Sequence, residues 1–238
     1  MKTFGLIGKN LSHSFSKKYF NNKFYKENIK NCEYKNFELS NISEIKNLIS
    51  QIKPSGLNVT IPYKESVIPF LDELTPQAKA IGAVNTIDFK GNKLIGHNTD
   101  TIGFSQSIYP ILNGRKNALI LGNGGASKAI QHALKTLNIE YKIVSRNSSF
   151  DYLDINTQLI VYYDIIINTT PIGTYPDVAN YPKILYSKLN ERHLLFDLIY
   201  NPIETQFLQY GKKRNCSIKN GLEMLEIQAE SSWEIWNS

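Results

Sequence analysis

The sequence predicts an α/β protein built from two α/β domains. Three observations carry that expectation. Short apolar runs alternate with helical patterns along the whole chain, which implies mostly parallel sheets covered by helices. Residues 83–89 and 93–96 flank Lys90-Gly91-Asn92, a glycine-containing turn that adds an antiparallel hairpin at the edge of the first sheet. An apolar run, Ala118-Leu119-Ile120-Leu121, stops at Gly122, Gly124 and Gly125 and yields to a helical pattern. That strand, tight turn and helix open a doubly wound second domain.

From the N-terminus, residues 3–7 read as a strand ending at Gly8. The polar turn 9–16 follows, then a helix carrying Tyr19, Phe20, Phe24 and Tyr25 at helical spacing. Residues 34–39 read as the second strand. A helix over 42–52 puts Ile42, Ile45, Leu48, Ile49 and Ile52 on one face, and Pro54-Ser55-Gly56 breaks it. Residues 57–61 form the third strand, ended by Pro62. A short helix over 65–71 is interrupted by Pro69. Thr75 and Pro76 supply the cap and first residue of a helix to Ile81. Asn98-Thr99-Asp100-Thr101 leads into a helix through Leu112, closed by Asn113-Gly114. Beyond the glycine turn, strands are expected over 141–144, 164–169, 194–197 and 217–219, and helices over 205–214 and 222–236. The segment 147–163 carries no clear pattern, so a single turn or a loop is expected where such domains usually place a helix.

The 238 residues suffice for one large or two small cores, and a composition of 42% hydrophobic and 20% charged residues is that of a folded domain. The net charge is +6, but the basic residues are scattered, and the longest run is Lys212-Lys213-Arg214. The pattern suits a solvated surface that attracts small anions and provides no stripe for nucleic acid. Cys32 and Cys216 are far apart, which argues against a disulfide framework or a zinc site and suits a reducing cytoplasm. No metal is expected. No signal-peptide core and no run of the roughly 18–20 apolar residues needed to cross a bilayer is present, so no membrane partner is expected.

Glycine allows a sharp turn and a close ligand approach because no Cβ intervenes. A helix starting there points N–H groups and the positive end of its dipole into the turn. The pattern implies a bound pyrophosphate, although a plain strand-to-helix turn has the same local form and the third small position is Ser127 rather than glycine. The ribose acceptor is expected about 20 residues on, at the end of the next strand. That strand ends Ser145-Arg146-Asn147, with Arg146 24 positions after Gly122. An acidic residue there would bond the 2′-hydroxyl of NAD. The arginine instead offers a cationic fork suited to a 2′-phosphate, so NADP(H) is the expected cofactor.

In the first half, Asn58 and Thr60 share one face of the third strand. Lys64 follows that strand, Ser14 and Ser16 follow the first, Asn85 and Thr86 lie in a hairpin strand, and Asp100 begins a helix. Singly, each has an ordinary use: the serines as turn formers, Asp100 as a helix cap, Lys64 as a solvated charge. Together at the carboxyl edge of a sheet, they suit a small polyhydroxylated anion.

Several motifs recur in one order: Ser-His-Ser-Phe-Ser at 12–16, Asn-Val-Thr-Ile-Pro-Tyr-Lys at 58–64, Gly-Ala-Val-Asn-Thr at 82–86 and Asn-Thr-Asp at 98–100. They continue with Gly-Asn-Gly-Gly-Ala at 122–126, Ser-Arg-Asn at 145–147, Asn-Thr-Thr-Pro-Ile-Gly at 168–173, Asp-Leu-Ile-Tyr-Asn-Pro at 197–202, and Asn-Gly-Leu-Glu-Met-Leu at 220–225 before Gln228. In this order and spacing the chain resembles the shikimate dehydrogenase family over nearly its whole length.

The resemblance implies reversible, NADPH-dependent reduction of 3-dehydroshikimate to shikimate. It implies that Ser14 and Ser16 hold the substrate carboxylate, that Thr60, Asn85, Asp100 and Gln228 hold its hydroxyls with Tyr200 nearby, and that Lys64, paired with Asp100, is the general acid/base. Gly122, Asn123, Gly124, Gly125 and Ala126 would wrap the pyrophosphate, and Ser145, Arg146 and Asn147 would take the phosphate end of the adenosine. Leu198 and Gly221 would lie beside the nicotinamide. The partner implied is a small-molecule substrate, with the chain acting as a monomer or homodimer. The chemistry is coherent, because hydride delivery to a ketone leaves an alkoxide that a lysine ammonium can stabilise and protonate.

The chain departs from the family pattern at Asn10 and Lys17, where prolines are common, at Thr101, where glycine usually follows the aspartate, and at Thr174, where Met is common. Residues 1–103 with the helix 222–238 are the expected substrate domain, and 104–221 the Rossmann-like NADP-binding domain, with the site in the cleft between. Leu222, Leu225 and Ala229 give the last helix a face to bury on the first domain. A quinate or quinate/shikimate dehydrogenase, often NAD-using, and a non-catalytic NADP(H)-binding protein on the same scaffold are the competing readings. Arg146 and the Ser14/Ser16 pair weigh against the first, Lys64 and Asp100 against the second.

Overall fold

Strand propensity and glycine punctuation deliver two separate sheets. The structure, a computed structural model, describes residues 1–12, 14–146 and 150–238. It divides into two units, Met1–Thr99 with Gln228–Ser238, and Asp100–Ile227.

The first unit contains β1 (Lys2–Gly8), α1 (Phe15–Lys26), β2 (Cys32–Glu38), α2 (Ile45–Ile52), β3 (Gly56–Val59), β4 (Glu73–Leu74), α3 (Pro76–Ile81), β5 (Thr86–Lys90) and β6 (Lys93–His97). Its sheet is mixed, in the order β2-β1-β3-β5-β6-β4. β1 runs parallel to β2 and β3, while β5 is antiparallel to β3 and β6. The hairpin is not the sheet edge that its sequence predicts: β4, too short at two residues to show a pattern, pairs parallel with β6 and covers it. Ile7, Ile45, Leu57, Val59 and Ile87 bury one face of the sheet. Phe4, Phe20, Phe24, Tyr34, Ala229 and Trp236 bury the other, and residues 228–238 belong to this unit. Gly56 makes room for Trp236, since a Cβ there would lie 2.5 Å from its ring.

Three expected elements change in this unit. β3 stops at Val59, not at residue 61. The Tyr63 N–H bonds the Thr60 carbonyl at 2.9 Å, so Thr60 already belongs to a turn. The helix expected over 65–71 is only a 3-10 turn at Ile68–Phe70, because Pro69 lacks the N–H that would extend it. Asn85 precedes β5 rather than lying inside it. Elsewhere local signals hold: the Thr75 hydroxyl accepts the Ala78 N–H at 3.3 Å and caps α3.

The second unit contains α4 (Asp100–Ile108), β7 (Asn117–Leu121), α5 (Gly125–Thr136), β8 (Glu140–Val144), α6 (Thr157–Tyr162), β9 (Ile165–Asn168), β10 (Leu194–Asp197), α7 (Gln206–Lys212) and β11 (Ser217–Lys219). α8 (Leu222–Trp236) begins there. All five strands are parallel, in the order β11-β10-β9-β7-β8. Phe104, Ile108, Ile130 and Leu134 cover one face of this sheet, and Ile160, Phe207 and Leu208 the other. The residue expected at the boundary, Gly103, falls inside α4, whose Phe104 and Ile108 bury in this core. α4 stops short of Leu112 and gives way to a 3-10 turn at Tyr109–Ile111, where Pro110 has no N–H to offer. The segment expected to be a turn or loop does hold a helix, α6. Its cap is the Asn156 side chain, which accepts the Leu159 N–H at 3.1 Å, and Ile160 buries it.

Candidate active site

In the first unit, register builds a polar floor. Asn58 on β3 lies opposite Thr86 on β5, so both side chains point to the same face of the sheet. The Asn58 Nδ2 donates to the Asn85 carbonyl at 3.2 Å, to Thr86 Oγ1 at 3.2 Å and to Ser232 Oγ at 3.0 Å. Its Oδ1 accepts the Tyr34 hydroxyl at 2.8 Å. Burial pushes the Tyr34 pKa well above that of an ordinary phenol, so the group stays a protonated donor. Asn85 Oδ1 accepts the Thr99 N–H at 2.8 Å, and its Nδ2 donates to Gln228 Oε1 at 3.2 Å. Asn58, Asn85, Thr86, Thr99, Gln228 and Ser232 are all buried. Unpaired polar groups in such a place would be costly, and the network satisfies them mutually.

Of the residues expected from sequence, Asn85 and Gln228 are thus brought together. Ser16 is buried at the start of α1 and interacts with the Tyr34 hydroxyl. Ser14 occupies the N-cap position of α1, yet its side chain makes no capping bond. Its Oγ is shielded from solvent and has no hydrogen-bond partner among the described residues. A plain turn-forming serine would spend its hydroxyl on the helix; this one is held back from it. Thr60 lies against Gly8, whose Cβ would come within 2.7 Å of the Thr60 Cγ2. The Lys64 carbonyl accepts the Val84 N–H at 2.7 Å, which anchors the lysine to the segment leading into Asn85. Sequence reasoning missed Tyr34 and Ser232. Ser232 was detectable in principle, as a hydroxyl four residues beyond Gln228 on one helix face.

In the second unit, Asp100 is buried at the first turn of α4. Gly122 follows β7 with φ +109°, a conformation that side chains rarely adopt, and a Cβ there would meet Thr169 Oγ1 at 2.7 Å. Asn123 leads to Gly124, the N-cap of α5, whose Cβ would meet nothing within 4 Å. Gly125 and Ala126 form the first turn of α5, so their N–H groups lie at the positive end of the helix. Ser127 is fully buried and satisfies the pattern's third small position by packing. Ser145 and Arg146 follow β8, and Arg146 is exposed, with its charge acting on Tyr152. Asn147 lies outside the described residues. Leu198 and Gly221 meet: a Cβ on Gly221 would fall 2.1 Å from the Leu198 carbonyl oxygen. Tyr200 is half-buried just beyond. Among the described residues, no group of three or more His, Cys, Asp or Glu could hold a metal, and no helix is long and apolar enough to cross a membrane.

A parallel sheet with a glycine turn opening a helix, and an arginine after the neighbouring strand, defines the class: a dinucleotide-binding α/β protein. Residues 6–87 match the family model described as the shikimate dehydrogenase substrate binding domain. A shikimate dehydrogenase (NADP(+)) of Clostridium beijerinckii is 41% identical, over 99% of this chain and 92% of its own length. The crystal structure of shikimate dehydrogenase 1 from Peptoclostridium difficile superposes with a TM-score of 0.89 at 41% identity, covering 100% of this chain and 92% of that one. That of the shikimate 5-dehydrogenase from Thermus thermophilus, in complex with NADP(H) and shikimate, has a TM-score of 0.88 at 26% identity, covering 99% and 93%. The chain belongs to the shikimate dehydrogenase family.

Proposed function

We propose that this protein is an oxidoreductase that interconverts 3-dehydroshikimate and shikimate with NADP(H). The observation that carries the reading is the 41% identity, over nearly the full chain, to a relative named for that activity and cofactor. The residues expected to do the chemistry stand at the motif positions in this sequence.

The shielded, uncapping Ser14 hydroxyl supports a role for Ser14, with Ser16, as donor to the substrate carboxylate. Thr60, Asn85, Asp100 and Gln228 hold the hydroxyls, with Tyr200 nearby. NADP(H) fits the second unit: the open space over Gly124 and the N-terminus of α5 suit a pyrophosphate, and exposed Arg146 suits a 2′-phosphate. Gly122, Asn123, Gly125 and Ala126 complete the first set, Ser145 and Asn147 the second, and Leu198 and Gly221 line the nicotinamide. When bound, NADP(H) exchanges a hydride with the substrate carbon. Lys64 gives a proton to the oxygen on that carbon as it gains negative charge, and removes it in the reverse direction. Asp100 is the second catalytic residue of this reading, bonding the neighbouring substrate hydroxyl. We place the protein in the cytoplasm, as a monomer or homodimer; both cysteines are free thiols, which suits a reducing compartment.

The test is turnover of shikimate and of quinate, each with NADP⁺ and with NAD⁺, followed by absorbance of the reduced nicotinamide. Shikimate with NADP⁺ is the expected pair. Activity on quinate with NAD⁺ alone would select the quinate enzyme, and no turnover with any pair would end the enzymatic reading.

A further inference from the structure

The stretch that carries Ser14 is held from the side, by the neighbouring strand. Residues 9–12 and 14 belong to no helix or strand. Leu11 is their fixed point. Its side chain is buried in the core that holds Phe4, Phe20 and Tyr34. Both of its backbone polar groups are taken by side chains of β2. The N–H donates to Glu38 Oε1 at 2.7 Å, and the carbonyl accepts the Asn36 Nδ2 at 2.8 Å. Register puts the two partners there: Leu6 of β1 lies beside Asn36 and Gly8 beside Glu38. Asn36 and Glu38 are two positions apart on one strand, so they share a face and meet the chain as it leaves Gly8.

Backbone chemistry fixes the direction of both bonds. The Leu11 N–H can only donate, which suits a carboxylate. The Leu11 carbonyl can only accept, so the Asn36 amide must turn its nitrogen toward it. Turned this way, the amide leaves Asn36 Oδ1 shielded from solvent and without a hydrogen-bond partner among the described residues. A bare, shielded acceptor costs stability, so the stability of the fold does not by itself call for an asparagine here. The same Leu11 carbonyl accepts the Ser14 N–H at 3.0 Å. One oxygen therefore joins Asn36 to the Ser14 backbone. The Ser14 hydroxyl caps no helix and has no partner among the described residues, so its placement depends on that backbone.

We propose that Asn36 and Glu38 are positioning residues: by holding both backbone groups of Leu11, they fix the loop that presents the Ser14 hydroxyl to the substrate carboxylate. The inference rests on the reading of Ser14 as a carboxylate ligand. Asn36 and Glu38 take no part in proton or hydride transfer. They order the loop before substrate arrives, so binding loses less conformational entropy.

The experiment is a double-mutant cycle on steady-state shikimate oxidation, with Ser14→Ala, Glu38→Ala, Glu38→Gln and Asn36→Ala. Glu38→Ala should raise KM for shikimate about tenfold, the size of one lost hydrogen bond, while kcat and KM for NADP⁺ stay near wild type. Asn36→Ala should act in the same direction. Glu38→Gln keeps an acceptor oxygen and should restore most of the wild-type KM. In a Ser14→Ala background, Glu38→Ala should add little, because the hydroxyl it positions is gone. Effects of Ser14→Ala and Glu38→Ala that multiply independently overturn the proposal. So does a Glu38→Ala enzyme with unchanged KM for shikimate, or one whose two KM values rise together. Glu38 is exposed, so its replacement removes no core packing. If Asn36→Ala does not fold, the Glu38 cycle decides alone. A Ser14→Ala enzyme with wild-type KM, or a wild-type protein that turns over no shikimate, defeats the underlying functional reading instead, which keeps the two failures apart.

Discussion

The Thr205 hydroxyl donates to the Asp197 carboxylate at 2.6 Å, tying the cap of α7 to the last residue of β10. Both residues are buried. Asn168 Nδ2 at 3.0 Å and the Ile199 N–H at 3.1 Å complete a set of neutral donors, and they fasten the loop that carries Leu198 and Tyr200.

Asp197 makes stability depend on pH. Burial outweighs the three donors and raises its pKa from 3.8 to about 6. The folded protein therefore holds this proton more tightly than the unfolded chain. The contribution to stability is full below about pH 4 and is lost as pH rises through about 6. It amounts to roughly 3 kcal/mol. Asp197→Asn should remove this slope, so the wild-type urea midpoint should fall relative to that of the variant as pH rises from about 4 to 7. Parallel curves over that range would contradict the assignment.

Gly221→Ala should damage the second unit. The added methyl would sit 2.1 Å from the Leu198 carbonyl oxygen, a backbone atom that cannot rotate away. Overpacking of this kind costs about 1–3 kcal/mol. A lower Tm and a higher KM for NADP⁺ are expected together. A variant with wild-type values for both would show that the Leu198 turn has room to move.

Arg146→Ala tests cofactor choice. Loss of a charge-assisted contact to a 2′-phosphate should raise KM for NADP⁺ by roughly 10–100-fold. KM for NAD⁺, which lacks that phosphate, should change little. Equal effects on the two cofactors would remove Arg146 from the 2′-phosphate site.

Lys64→Ala tests the proton donor. kcat should fall by about 100-fold or more while KM for shikimate changes little, the pattern of an interaction made in the transition state. A near-normal kcat would exclude Lys64 from the chemistry.

Much of the scaffold is legible in short windows of sequence. Thr75-Pro76 caps a helix, and the apolar run before Gly122 is a strand followed by a helix, because capping and periodicity act within one or two turns. Local reading fails where context competes with pattern. Residues 65–71 look helical until Pro69 confines them to one turn, and β4 exists only because β6 offers it an edge. The helix α6 escapes a reading by periodicity because it is only six residues long, and its Asn156 cap is the clearer signal.

The sequence by itself determined the two-sheet α/β plan, the glycine turn with its arginine, and the motif positions of Ser14, Lys64 and Asp100. These depend on residue type and local spacing. Only the tertiary structure decided that Ser14 does not cap its helix, that Asp197 is buried among neutral donors, and that Thr86 meets Ser232 across 146 positions of chain. Hydrogen-bond direction in that last cluster depends on which backbone groups strand register brings alongside, and no window of sequence contains both partners.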